Sequence, residues 1–94
     1  MLLGNKIKEL RNEHGVLQRQ LASHLEIDTP MFSKIGRGCR RTKRTQVIQI
    51  ANYFNVNEKE LLTLWVADKV LDAVEDKEEL KSDAINVAQS SISL

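Results

Sequence analysis

Residues 17–38 read Leu-Gln-Arg-Gln-Leu-Ala-Ser-His-Leu-Glu-Ile-Asp-Thr-Pro-Met-Phe-Ser-Lys-Ile-Gly-Arg-Gly. Leu21, Ala22 and Leu25 recur at helical spacing and predict a short helix over about 18–25. Leu17 occupies the place where a Ser, Thr, Asp or Asn cap is usual. Glu26, Ile27 and Asp28 make a tight turn, with Ile27 pointing inward. Asp28 before Thr29-Pro30 is a strong helix start: its carboxylate can accept from free N–H groups, and Pro is tolerated in a first turn. A helix over 29–36 follows, with Phe32 and Ile35 as its buried pair and Gly36 and Gly38 to end it. Two short helices this close along the chain cannot lie antiparallel along their length, so they cross steeply. The second then turns Thr29, Pro30, Ser33, Lys34 and Arg37 outward.

Helical spacing extends in both directions from this unit. Leu3, Ile7 and Leu10 predict a helix over 2–14, stopped by Gly15. Val47, Ile50, Ala51 and Phe54 predict one over 45–54. Asn57 with Glu60 three residues on resembles a capping box and opens a long fifth helix over 58 to about 75. That helix is apolar on two sides. Leu61, Leu64, Leu71 and Val74 mark one face; Leu62, Val66, Val70 and Ala73 mark another; Trp65 lies between. A helix apolar on two sides needs two neighbours: its own core, and either a second subunit or the C-terminal segment folded back. Leu80, Ala84, Val87 and Ala88 predict a sixth helix over 78–89, and the final Ser-Ser-Ile-Ser-Leu is expected to fray. The expected fold class is therefore all-α, with five helices over residues 1–75 and a helical extension over 76–94.

The 94 residues make one domain's worth of chain. No apolar run approaches the roughly 20 residues of a membrane-spanning helix, and residues 1–6 do not begin like a signal peptide. The single Cys39 rules out an internal disulfide framework and fits a reducing cytoplasm. His14, His24 and Cys39 match no metal-ligand spacing, so neither a metal nor another cofactor is expected. No phosphate-binding glycine loop and no nucleophile–His–acid set is visible, which excludes the common enzyme signatures.

The net charge of +1 conceals an asymmetry. Residues 1–57 hold ten Lys/Arg against four acids, and residues 58–94 hold four against nine. Such a division points to a basic half that meets a polyanion and an acidic half that does not. The basic run Arg37-Gly38-Cys39-Arg40-Arg41-Thr42-Lys43-Arg44 follows directly on the third helix.

Gln18-Arg19-Gln20-Leu21-Ala22, Ile27, Phe32-Ser33-Lys34-Ile35 and Arg37-Gly38 together resemble the lambda-repressor-like (Cro/Xre-type) helix-turn-helix domain. The flanks resemble it too: Gly4-Asn5-Lys6-Ile7-Lys8-Glu9-Leu10-Arg11 its first helix, Val47 to Val56 its fourth, and Glu60-Leu61-Leu62 the start of its fifth. The likeness covers about residues 3–65 and, with an added C-terminal helix, is nearest to phage repressors and restriction–modification controller proteins. It implies a cytoplasmic transcriptional regulator that binds double-stranded DNA. The N-terminal end of the third helix would enter the major groove. Thr29, Pro30, Ser33, Lys34 and Arg37 would then contact bases, with Arg37 divided between base and phosphate. Gln18, Arg40, Arg41, Lys43 and Arg44 would contact phosphates. The two-sided fifth helix and the resemblance together imply a homodimer on a palindromic operator, with Leu64, Trp65, Leu71 and Val74 at the interface. The alternative is an antitoxin-type interaction module whose acidic residues 58–94 cover a protein partner.

Three positions depart from the family's pattern: Leu17 at the cap, Gly36 where Glu is usual, and Cys39. In that family the Arg at the end of the first helix pairs with the Glu that Gly36 replaces here. Arg11 is therefore expected to lack its carboxylate.

Overall fold

The chain begins with a helix, α1 (Leu2–His14), whose Leu3, Ile7 and Leu10 are buried along one stripe. Gly15 ends it at φ +64°, a left-handed conformation that glycine adopts without steric cost. Then come α2 (Gln18–His24), α3 (Thr29–Arg37), α4 (Arg44–Phe54), α5 (Glu58–Ala73) and α6 (Lys81–Ile92). This computed structural model describes residues 2–37 and 42–92, with backbone alone at 36 and 37. Among the described residues there is no strand, so the fold is all-α as expected. Gly38, Cys39, Arg40 and Arg41, the centre of the basic run, lie outside the described residues, as does the side chain of Arg37.

One core joins the first five helices. α1 gives Leu3, Ile7 and Leu10; α2 and its end give Leu21, Ala22 and Leu25; α3 gives Phe32 and Ile35. α4 adds Val47, Ile50, Ala51 and Phe54, and α5 adds Leu61. Ile27 in the turn packs against this core, as its position predicts.

The helix boundaries follow from how each end satisfies its backbone. Asn55 closes α4 at φ 55°, and Asn tolerates that region better than most residues. Asn57 caps α5 by accepting from the Lys59 N–H at 2.8 Å. The reciprocal half of the expected box is replaced, because Glu60 lies 3.6 Å from Lys6 Nζ on α1. Lys6 is also 3.6 Å from Glu9, and the Glu9 carboxylate, with Glu60, holds its ammonium above the ordinary lysine range.

α5 is shorter than expected: it stops at Ala73 rather than near 75, with the Val74 N–H turning back to Leu71 O. α6 is displaced from 78–89 to Lys81–Ile92. Residues 78–80 form a turn instead, and the first helical bond runs from the Ala84 N–H to Leu80 O at 2.8 Å. Ser90, Ser91 and Ile92, expected to fray, are helical. α6 buries no residue, and Val87 and Ile92 are 71% and 81% exposed. The radius of gyration is accordingly 14.9 Å, against about 12 Å for a compact chain of this length. The C-terminal segment thus leaves the second face of α5 uncovered, with Val66 and Val70 about half exposed.

The strongest link between distant parts of the chain is polar. Asp68 on α5 is only 1% exposed, and its two carboxylate oxygens accept from the N–H groups of Leu2 and Leu3, at 2.9 and 3.0 Å. The first N–H groups of a helix have no partner within it. A carboxylate there also meets the positive end of the helix dipole. Asp68 therefore closes α1 from α5, while no acidic residue stands in the first turn of α1 itself.

Removing this acceptor takes the carboxylate from a buried N–H, that of Leu3, and from a part-buried one, that of Leu2. Asp68→Ala is expected to cost about 2–3 kcal/mol and to lower Tm by roughly 10–20 °C. Asp68→Asn keeps one acceptor oxygen and should lose about half as much. Thermal melts of the two variants check this, and equal losses would contradict the two-bond account.

Candidate nucleic-acid interface

α3 is oriented by burial on one side. Phe32 and Ile35 are each 5% exposed and face the core. Thr29, Pro30 and Lys34 are exposed, and Ser33 is half-buried. α3 is fixed at its start by Asp28, whose Oδ1 accepts from the Met31 N–H at 2.7 Å. Asp28 is thus the cap that its place before Thr29-Pro30 predicts. Met31, 52% exposed on the same helix, is an apolar surface residue that the outward-facing set read from sequence omits.

The turn before α3 holds backbone strain. Glu26 lies at φ 59°, the left-handed region, with its N–H bonded to Ser23 O at 3.0 Å. The Ile27 N–H reaches Ala22 O at 3.0 Å. A side chain in this region costs about 1–2 kcal/mol, and neither Gly nor Asn stands there to avoid it.

Neither α2 nor α4 has a side-chain acceptor at its cap, because Leu17 and Lys43 occupy those places. In each case the glutamine three residues on reaches back instead. The Leu17 N–H donates to Gln20 Oε1 at 2.7 Å, and the Lys43 N–H to Gln46 Oε1 at 2.9 Å. The first turns of both helices are therefore open at their ends. Gln18 and Arg19 stand exposed at one, and Lys43 and Arg44 at the other. Neither first turn carries an acid.

The described end of the basic run is anchored by Trp65. Its Nε1–H donates to Thr42 O at 3.2 Å, and Thr42 is buried. Lys69 Nζ lies 3.8 Å from the centre of the Trp65 ring, within cation–π range. Of the four residues expected at a dimer interface, Leu64 and Trp65 are half-buried against the chain's own core. Leu71 is exposed and Val74 half-buried. The open apolar groove of α5, about 630 Å³, is lined by Leu62, Val66, Ala67 and Val70, with Arg44 and Lys59 beside them.

Gln18 and Ser33 are brought together. They line one cleft of about 340 Å³ between α1, α2 and α3, with Lys8 and Arg11 on its α1 side. Among the described residues, Arg11 Nη1 donates to Val16 O at 3.4 Å. The two histidines are engaged in ring contacts, His14 on Phe54 at 5.2 Å and His24 on Tyr53 at 4.9 Å. Among the described residues, no group of three His, Cys, Asp or Glu could hold a metal, and no helix is long and apolar enough to cross a membrane.

The family model of the helix-turn-helix domain matches residues 4–65. The chain belongs to the helix-turn-helix family. The matched span runs from α1 into α5 and includes the whole α2–turn–α3 unit. No curated protein and no solved structure matches the chain significantly. A helix-turn-helix domain is the module with which regulators engage DNA, its second helix lying in the major groove.

The strain at Glu26 gives a test of how the unit is held. Glu26→Gly should relieve the left-handed penalty at some entropic cost, for a net gain of about 0.5–1 kcal/mol. Glu26→Val should destabilise instead. Tm values ordered Gly above Glu above Val are expected, and a Val variant as stable as the parent would contradict the strained turn.

Proposed function

We propose that the chain is a sequence-specific transcriptional regulator of the lambda-repressor-like (Cro/Xre) type. It inserts the N-terminal end of α3 into the major groove of DNA. The observation that carries this reading is the division of α3. Phe32 and Ile35 fix one side in the core, while Thr29, Pro30 and Lys34 stand free on the other. Lys34 donates to guanine O6 or N7; Thr29 hydrogen-bonds bases or touches a thymine methyl; Pro30 makes apolar contact only. Ser33 and Arg37 complete the base-facing set, and exposed Met31 offers a further surface for a thymine methyl.

Gln18, Arg40, Arg41, Lys43 and Arg44 hold the phosphate backbone, which gives affinity and register but little sequence choice. The uncapped first turns of α2 and α4 favour this role, since helix N-termini attract phosphate. The regulator acts as a homodimer on a palindromic site through the apolar face of α5. On α5, Val66, Val70 and Leu71 are exposed, and Val74 at its end is half-buried. Two recognition helices then sit about 34 Å apart, one duplex turn or a multiple of it.

A second reading is favoured by α6, whose Val87 and Ile92 are exposed. Residues 58–94 would dock on a protein partner, as in an antitoxin. The two readings differ in what the basic residues do.

Binding to specific and random duplexes across a salt series separates the two kinds of contact. Lys34→Ala is expected to cost about 1–3 kcal/mol on the preferred site and to relax choice at one base position. Arg44→Ala should weaken both duplexes alike and flatten the log–log salt slope by about 0.9. Val66→Asp should yield monomer in sedimentation. Equal losses on both duplexes for Lys34→Ala would remove its role as a base reader, and unchanged DNA binding by all three variants would favour the protein-partner reading.

A further inference from the structure

Arg11 carries a buried polar atom without a partner. Among the described residues, its Nε is shut off from solvent and makes no hydrogen bond, while Nη1 makes a long contact to Val16 O. A guanidinium cannot discharge itself by losing a proton, and the great majority of buried polar side-chain atoms are paired. Beside it opens the cleft of about 340 Å³, at the lower end of the range for small-molecule sites, about 300–1,000 Å³. Phe32 and Ile35 contribute its apolar wall. Its polar lining comprises the cations Lys8 and Arg11 and the neutral Asn5, Gln18 and Ser33, each able to donate, with no carboxylate among the described residues.

We propose that this cleft binds a free small oxyanion, a carboxylate or phosphate group of a metabolite, with Arg11 as its principal ligand. A modest swing of the flexible Arg11 side chain toward the cleft offers Nε and Nη2 as a two-pronged donor pair, the geometry that suits a carboxylate or phosphate. Lys8 adds a second positive charge at the exposed rim. Gln18 supplies an amide and Ser33 a hydroxyl. The Arg11 Nε lies inside the three-helix wedge, out of contact with solvent, so a compact free ion suits it better than the backbone of a rigid duplex. Resting on the DNA-binding reading, one consequence follows. An ion held by Gln18 and Ser33 withdraws both from DNA, so occupancy of the cleft lowers operator affinity.

The test is an NMR titration of the full chain with sodium acetate and, separately, sodium phosphate, each against sodium chloride at equal ionic strength. The readout is the Arg11 Nε–H resonance. A saturable shift is expected with acetate and phosphate and not with chloride. Arg11→Lys keeps the charge and loses the fork, so its thermal stabilisation by acetate should need about tenfold more ligand. Lys8→Gln, on the exposed rim and harmless to the fold, should weaken the acetate midpoint several-fold. An equal response to chloride, no saturable shift, or an unchanged midpoint in both variants would overturn the site. In chloride buffer, a duplex is expected to leave the Arg11 Nε–H unmoved. A duplex that shifts it as acetate does would assign the cleft to backbone phosphate and overturn the free-ligand proposal. Saturable acetate binding by a chain that binds no duplex would uphold the cleft and remove the DNA-binding reading alone.

Discussion

A single buried carboxylate sets the frame on which the rest of the molecule is built. Asp68 holds the first turn of α1 against the middle of α5, joining backbone and side chain across nearly the full span of the five-helix unit. Placing a carboxylate in the interior is costly unless it is hydrogen-bonded. Here the two leading N–H groups of a helix, and the helix dipole behind them, offset that cost. The Lys6–Glu60 pair reinforces the same junction at the surface. Because α1 packs on both α5 and α3, the carboxylate that seats α1 also backs α3.

α3 itself is held by three different kinds of force. Burial of Phe32 and Ile35 sets its rotation, the Asp28 cap sets its start, and the left-handed Glu26 sets the bend by which the chain enters it. What projects outward is then fixed by exclusion. The same economy appears at α2 and α4: Leu17 and Lys43 cannot cap, so glutamines from within each helix satisfy the cap residues' own N–H groups and leave the first turns open. An open, basic helix start is suited to a polyanion.

Much of this was legible in the sequence because period and punctuation agree. The α1–α5 spans emerged within a residue or two, since Gly15, Asp28 and Asn57 each do locally what their chemistry predicts. Asp68 was not legible. A lone acid in a helix reads as a solvated charge, and its partners are main-chain groups 65 and 66 residues away, which carry no side-chain signal. Nor was the bond from the Trp65 indole N–H to the carbonyl of Thr42, a main-chain group 23 residues away. The displacement of α6 has a related cause. Its apolar spacing fixes a face but not a start, and without tertiary burial nothing anchors its register.

In the function proposed, α3, backed by α1, reads base sequence. The most direct measurement is selection of bound duplexes from a random-sequence pool by the full chain. Enrichment of a two-fold symmetric site is expected, with half-sites centred about 10 bp, or a multiple of that turn, apart. A recovered pool with no sequence preference, bound only through a steep salt-dependent term, would contradict it.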